Sequence, residues 1–206
     1  MVNPLHLNAQ QVLTLNGSMS LLLSSFDIWK PHHRSNSSDD LLAELQQRGR
    51  LPESALLLRQ LPVNTQQASA QLLGMIHQHR PPWVVLGGMA EGRSRLTVER
   101  RAVHEMGVHC TPMPVWELVA GLDHTDVSYH AGRFVCNATY YQVLGEIAAA
   151  KLPTQALFLH VPCSRGVAWP EIVADADQLL QRLMGRVPSP SLTANGPVSD
   201  FAAVSG

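Results

Sequence analysis

Cys136, His160 and Glu99 have the side-chain types that nucleophilic amide chemistry needs. Cys136 lies in "HAGRFVCNATYY", after a small-residue turn and at the head of an apolar, helix-like run. Backbone N–H groups at a helix start are unpaired and carry the positive end of the dipole, so they are expected to lower a thiol pKa and favour the thiolate. They can also hold an oxyanion during acyl transfer, and the Ala131-Gly132 pair permits the tight turn that points the sulfur outward. His160 ends the strand pattern "ALFLH", at the carboxyl edge where α/β folds collect their sites. It can serve as general base to the thiol and later protonate a leaving amine. Glu99 falls inside the alternating pattern "LTVERRAV", where a carboxylate needs a partner and an imidazole N–H is a suitable one. Each residue also has a plain reading: Cys136 as buried filler, His160 as a core histidine, and Glu99 as an ion-pair partner of Arg100 or Arg101.

The frame that must position these groups is legible in outline. A chain of 206 residues with 45% apolar and 15% charged residues suits one well-buried domain. A net charge of -1 offers no long-range field for nucleic acid or an anionic membrane surface, so a small, neutral partner is expected. No apolar run approaches the ~18 residues of a membrane span. Three cysteines without CxxC spacing fit free thiols in a reducing cytoplasm.

Along the chain, Ser20–Ser25 reads as a buried strand and "DLLAELQQRG" as a helix capped by Ser38 or Asp39 and stopped by Gly49. "SALLLRQLPV" is a strand, and "NTQQASAQLLGMIHQHR" is a helix capped by Asn64 or Thr65. "WVVLGG" is a buried strand, with Gly87, Gly88 and Gly92 marking a loop at its carboxyl end. "RLTVERRAV" reads as one strand and residues 105–125 carry no clear signal. "DVSYH", "CNATYYQVLGEIAAAK", "ALFLHVP" and "WPEIVADADQLLQRLMG" follow as strand, helix, strand and helix. Strand–helix alternation argues for a mostly parallel sheet with helices on both faces. Residues 1–18 read as an N-terminal extension, 19–184 as a single α/β domain, and 185–206 as a disordered tail.

A metal is the competing use of the histidines, notably His104, His109, Cys110, His124 and His130, but no HExxH or paired CxxC spacing supports it.

Three segments resemble a known family. "GGMAEGRSRLTVERRAV" is similar to the glutamate motif of pyroglutamyl peptidase I, the pyrrolidone-carboxylate peptidases or peptidase C15 family. "DVSYHAGRFVCNATYY" resembles its cysteine motif, and "ALFLHVP" its histidine motif. The motifs occur in the family's order, with 24 positions between Cys136 and His160, and the resemblance spans roughly residues 20–184. It implies a three-layer α/β/α sandwich of the phosphorylase/hydrolase-like type, with a mostly parallel mixed sheet. It also implies release of an N-terminal pyroglutamyl residue from peptides through a thioester, with no cofactor or metal. Cys136 is then the nucleophile, His160 the base and Glu99 the orienting acid. Phe26 and Trp29 fall where the family's aromatics clamp the lactam ring, and Phe134 and Val135 where residues beside the nucleophile line the pocket. Plain core packing is the other reading for Phe26, Phe134 and Val135. Some members form oligomers, the sole ground for expecting self-association.

Departures are equally visible. Glu91 stands where the family has a small residue, Arg101 where it is aliphatic, and His104 where it has Asn; the opening loop reads "WKPHHRSNSS". Only 37 positions separate Glu99 from Cys136, a stretch longer in family members, so the covering lid is shortened. Arg93 matches the motif's arginine, in a structural or a site role. The alternative function is a binding or scaffold homologue that lost the lid and with it catalysis.

Overall fold

The computed structural model describes residues 20–163 and 168–186. Six strands form one mixed sheet: β1 (Leu21–Phe26), β2 (Ala55–Leu61), β3 (Trp83–Ala90), β4 (Leu96–Glu99), β7 (Thr125–Ser128) and β8 (Gln155–Pro162), in the order β2-β1-β3-β8-β4-β7. The first three and β8 run parallel; β4 lies antiparallel to β8 and parallel to β7. Helices α1 (Ser37–Gln47), α2 (Thr65–His79), α4 (Val135–Ala149) and α5 (Trp169–Met184) make the connections and close the chain's described part.

Strand alternation decides which helix meets which face. Leu21, Leu23, Val85, Leu157 and Leu159 pack with α1 and α5 on one side. Leu22, Val84, Leu86, Ala156 and Phe158 pack with α2 and α4 on the other. Strands buried on both faces carry the near-continuous apolar runs that make them recognisable in sequence. The result is the expected three-layer sandwich.

The alternation also sorts the candidate site. On β4, Leu96 and Val98 face α1 and α5, which leaves Glu99 on the α4 side. His160 shares its face with Ala156 and Phe158, again toward α4.

Several local expectations need correction. Helix α1 is capped by Asn36, whose Oδ1 accepts from Ser38 N at 3.0 Å. Asp39 is turned inward to accept from Ser25 at 2.6 Å and Arg59 at 2.8 Å, so it has no oxygen to spare for a cap. Asn64 does cap α2, accepting from Gln67 N, and Gly49 follows α1 in the left-handed conformation at φ +63°.

"RLTVERRAV" is two strands. After Glu99 the chain leaves the sheet, and β5 (Arg101–His104) pairs antiparallel with β6 (Gly107–Cys110) as a separate ribbon. Asn137 of α4 fastens this ribbon, its Oδ1 accepting from Val103 N at 3.1 Å and its Nδ2 donating to Val103 O at 2.7 Å. The rest of the unassigned stretch holds one short helix, α3 (Val115–Val119).

Gly87 and Gly88 lie within β3 and not in a loop. Their role is close approach: a Cβ on Gly87 would meet Ser24 O at 3.0 Å, and one on Gly88 would meet the Phe158 ring at 3.0 Å and Cys136 Cβ at 3.2 Å.

The extension expected over 1–18, and all but the first two residues of the tail expected over 185–206, lie outside the described residues. Among those described, no helix is long and apolar enough to cross a membrane.

Candidate active site

Cys136 is the second residue of α4, whose N-terminus has no side-chain cap, and it sits above Gly88 of β3. His160 pairs in register with Gly88 from the neighbouring β8. This brings Cys136 Sγ to 3.6 Å from His160 Nε2. On the other side of the ring, His160 Nδ1 lies 2.8 Å from Glu99 Oε1. The Glu99 side chain is fully buried, and that of His160 nearly so.

An ionised carboxylate can only accept, so Glu99 holds the proton on Nδ1 and leaves the Nε2 lone pair facing the sulfur. Burial alone would raise the Glu99 pKa. The hydrogen bond and charge of His160, together with the Arg93 guanidinium, outweigh it and hold the carboxyl below its ordinary value. Burial lowers His160, although its bond to Glu99 works the other way.

Cys136 departs from the expectation of a depressed thiol. Burial pushes it up to about 11, and the backbone N–H groups of Asn137 and Cys136 that hydrogen-bond the sulfur only partly offset this. The helix start does what it should, but in a site this enclosed the desolvation of a thiolate costs more. At rest the site is a neutral thiol beside a neutral imidazole.

Arg93 has both roles left open for it. Its Nη1 donates to Glu99 Oε1 at 2.5 Å and to Thr97, while its Nη2 donates to His130 O at 2.8 Å and Ser128 Oγ at 3.3 Å. It thus ties the carboxylate to β4, β7 and the turn before α4. Glu99 pairs with Arg93 and His160, in place of the surface pairing with Arg100 or Arg101.

A cavity of about 420 Å³ opens over the sulfur, within the usual range for small-molecule sites. Phe26, Trp29, Phe134 and Val135 all line it. Phe26 and Val135 also belong to a small core cluster, so their two readings coincide. Phe134 is 64% exposed and packs against Trp29 with ring centroids 5.2 Å apart, which sets it apart from the core.

The histidines weighed as metal ligands do not converge. His104 and His109 stand against Tyr141 at 5.1 and 4.3 Å between centroids. Among the described residues the group of three whose ligand atoms come together is another one, His32, His33 and Glu91.

The family model for pyroglutamyl peptidase matches residues 107–193. The pyrrolidone-carboxylate peptidase of Thermococcus onnurineus is 32% identical over 143 residues, which cover 55% of this chain and 72% of that protein. The chain belongs to the pyroglutamyl peptidase family. A second relative in that family, the pyrrolidone-carboxylate peptidase of Mycobacterium tuberculosis, is 30% identical over 58% of this chain and 68% of its own. In fold, the pyrrolidone carboxyl peptidase of Thermococcus litoralis superposes with a TM-score of 0.67 at 19% identity, covering 79% of this chain and 92% of that one. The pyroglutamyl peptidase I of Bacillus amyloliquefaciens superposes with a TM-score of 0.63 at 23% identity, covering 80% and 92%.

As a member of the pyroglutamyl peptidase family the chain is a peptidase of the thiol class. Three of the single positions where it departs from the family pattern make no contact with Cys136 or His160. Arg101 donates to Tyr129 O at 2.8 Å, His104 flanks Tyr141, and Glu91 lies at the cavity mouth. Arg93 was visible only as a motif match; no pattern in composition or periodicity would have found its four partners.

Proposed function

We propose that this peptidase removes an N-terminal pyroglutamyl residue from small peptides, with Cys136 as nucleophile, His160 as base and acid, and Glu99 as the group that orients the imidazole. The observation that carries this reading is the continuous line from Cys136 Sγ to His160 Nε2 at 3.6 Å and from Nδ1 to Glu99 at 2.8 Å, at the floor of a largely apolar cavity.

The sulfur attacks the carbonyl carbon that joins pyroglutamate to the next residue, while its proton passes to His160 Nε2. The carbonyl electrons move to oxygen, beside the helix-start N–H groups of Cys136 and Asn137. Collapse breaks the C–N bond, and His160 gives its proton to the leaving amine. Water, deprotonated by His160, then attacks the thioester; pyroglutamate leaves, and the thiol regains its proton. Because the resting thiol is protonated, the transfer to His160 belongs to the attack and does not precede it.

A five-membered lactam is flat, compact and uncharged, which suits the Trp29–Phe134 aromatic pair and the apolar Val135 beside the sulfur. The three free cysteines suit a reducing cytoplasm. The scaffold alternative gains no support from the site, since a protein that had abandoned catalysis has no use for a buried carboxylate held against an imidazole.

The test is hydrolysis of pyroglutamyl-aminomethylcoumarin by wild type, Cys136→Ala and His160→Ala. Release by wild type alone supports the reading. Equal release by wild type and Cys136→Ala, or none from any of the three between pH 6 and 9, overturns it.

A further inference from the structure

Among the described residues, the peptidase reading leaves one cluster of ligand-type side chains without a use. The loop between β1 and α1 carries His32 and His33, and the turn between β3 and β4 carries Glu91. We propose that His32, His33 and Glu91 form a binding site for a divalent transition-metal ion of the zinc type at the mouth of the cavity, pinning the loop to the turn.

The two imidazole Nε2 atoms converge on the same carboxylate oxygen: Glu91 Oε1 lies 2.7 Å from His33 Nε2 and 3.6 Å from His32 Nε2. All three ligand atoms lie within 4.8 Å of one another. Zinc bonds of 2.0–2.1 Å in tetrahedral geometry space ligand atoms about 3.4 Å apart, so closing on an ion takes shifts on the order of 1 Å. The His32 side chain, 68% exposed, is free to make that shift.

His33 is the fixed element. Its side chain is 6% exposed, its ring lies 5.7 Å from that of Trp29, and its Nδ1 is buried without a partner among the described residues. Only Nε2 is therefore available for ligation, and it already points at Glu91.

Glu91 is held in turn. Lys30 Nζ engages the other oxygen, Oε2, at 2.5 Å, and sits 4.1 Å from the centroid of the Trp29 ring. A ligating carboxylate hydrogen-bonded through its second oxygen is the usual support for a metal ligand. Two imidazoles and one carboxylate form an N₂O donor set that suits zinc, nickel or cobalt and not magnesium. Three protein ligands leave a position open to water. The ion would tie the loop that carries Trp29 to the turn that leads into Arg93, without touching Cys136 or His160. The inference depends on neither the triad nor the reaction.

The test uses the full chain carrying Cys136→Ser, so that the active-site sulfur contributes nothing. Zn²⁺ binding is followed by calorimetry and Co²⁺ binding by visible absorption, in this background and with His32→Ala or Glu91→Gln added. Expected are one ion per chain, a cobalt spectrum without sulfur-to-metal charge transfer, and affinity weaker by about tenfold or more in each added variant. Mg²⁺ should not compete, and the ion should raise the unfolding temperature of the Cys136→Ser protein but not of the added variants. Affinity unchanged by His32→Ala and Glu91→Gln, a spectrum dominated by sulfur charge transfer, or no cobalt band at all would each overturn the site.

Discussion

Glu99 and Glu91 are placed among almost the same partners. Each offers Oε1 to a histidine, His160 at 2.8 Å and His33 at 2.7 Å, and each holds a cation at 2.5 Å, Arg93 and Lys30. The surroundings separate them. The Glu99 side chain is 0% exposed, between β8 and α4, whereas that of Glu91 is 36% exposed at the cavity rim. Inside, nothing competes with the hydrogen bonds, so the carboxylate dictates the tautomer of His160. At the rim, water and salt reach Glu91 itself and its contacts to Lys30 and His32, so the same constellation is weaker and open to another ligand. Burial, not the identity of the partners, converts a His–carboxylate–cation group into a fixed device.

The comparison breaks first at the sulfur. Cys136→Ala should lower kcat/KM on a pyroglutamyl amide by at least about a thousandfold, because no other group in the cavity can form the thioester. Glu99→Gln comes next, with kcat reduced by about 10² to 10⁴ and KM nearly unchanged. The amide can donate to Nδ1, which moves the imidazole proton to Nε2 and blocks proton acceptance from the thiol. That variant should also unfold more easily, by about 3 kcal/mol, since it leaves Arg93 without its buried anion. Steady-state kinetics and urea titration measure the two effects; a Glu99→Gln protein with unchanged kcat would place the carboxylate outside the mechanism.

These two groups differ as much in how far the sequence reveals them. The sandwich is legible because its strands are buried on both faces and its helices keep their apolar period, as in "WVVLGG" and "WPEIVADADQLLQRLMG". The grouping of Cys136, His160 and Glu99 is legible because three motifs resemble the peptidase family in order, and because Glu99 ends β4 and Cys136 stands in the first turn of α4; His160, expected at a strand end, lies two residues inside β8. What fails is whatever depends on contacts remote in sequence. Asn36 replaces both expected caps, because it accepts from the backbone and hydroxyl of Ser38 while Arg59 and Ser25 claim Asp39. The strand over residues 95–103 breaks after Glu99 because Asn137 draws Val103 into a ribbon on α4. The thiol is raised, not lowered, because enclosure by neighbouring elements outweighs the local helix start. The rim cluster escapes a spacing search because His32 and His33 are adjacent in sequence while Glu91 comes from another loop.

The enclosure of Cys136 can be tested through stability. A thiol whose pKa is raised in the folded state stabilises the fold fully below the unfolded value, near 8.5–9, and that contribution is lost as pH rises toward about 11. Wild type should therefore lose up to about 2–3 kcal/mol across this window that Cys136→Ser, which has no group to ionise there, retains. His160 and Glu99 have lowered values, so they act at the other end: their contributions are present above the unfolded pKa values and are lost as pH falls through the folded ones. Parallel urea titrations at alkaline pH, with the thiolate followed by ultraviolet absorbance, check the first claim. A thiolate signal at neutral pH would contradict the neutral resting pair.

Nearer the rim the effects shrink and move from kcat to KM. Phe134→Ala removes a mostly exposed ring that packs against Trp29 in the cavity wall, so it should raise KM for a pyroglutamyl amide by about tenfold while leaving kcat and the unfolding temperature close to wild type. A loss confined to kcat would instead assign Phe134 to holding α4 and the sulfur in place.

The smallest effect belongs to the carboxylate with which the comparison began. Glu91→Gln in metal-free protein removes the charge that Lys30 and His33 face, yet the unfolding temperature should fall by no more than about 2 °C, because Lys30 and Glu91 are each about a third exposed and the amide can still hydrogen-bond the His33 ring. That difference should vanish at high ionic strength, where a rim pair is screened, whereas the Glu99→Gln defect should persist because no salt reaches it. Thermal unfolding of both variants at low and high salt measures the contrast directly. Equal salt sensitivity in the two variants would mean that solvent reaches Glu99, and the tautomer control assigned to it would fail for that physical reason.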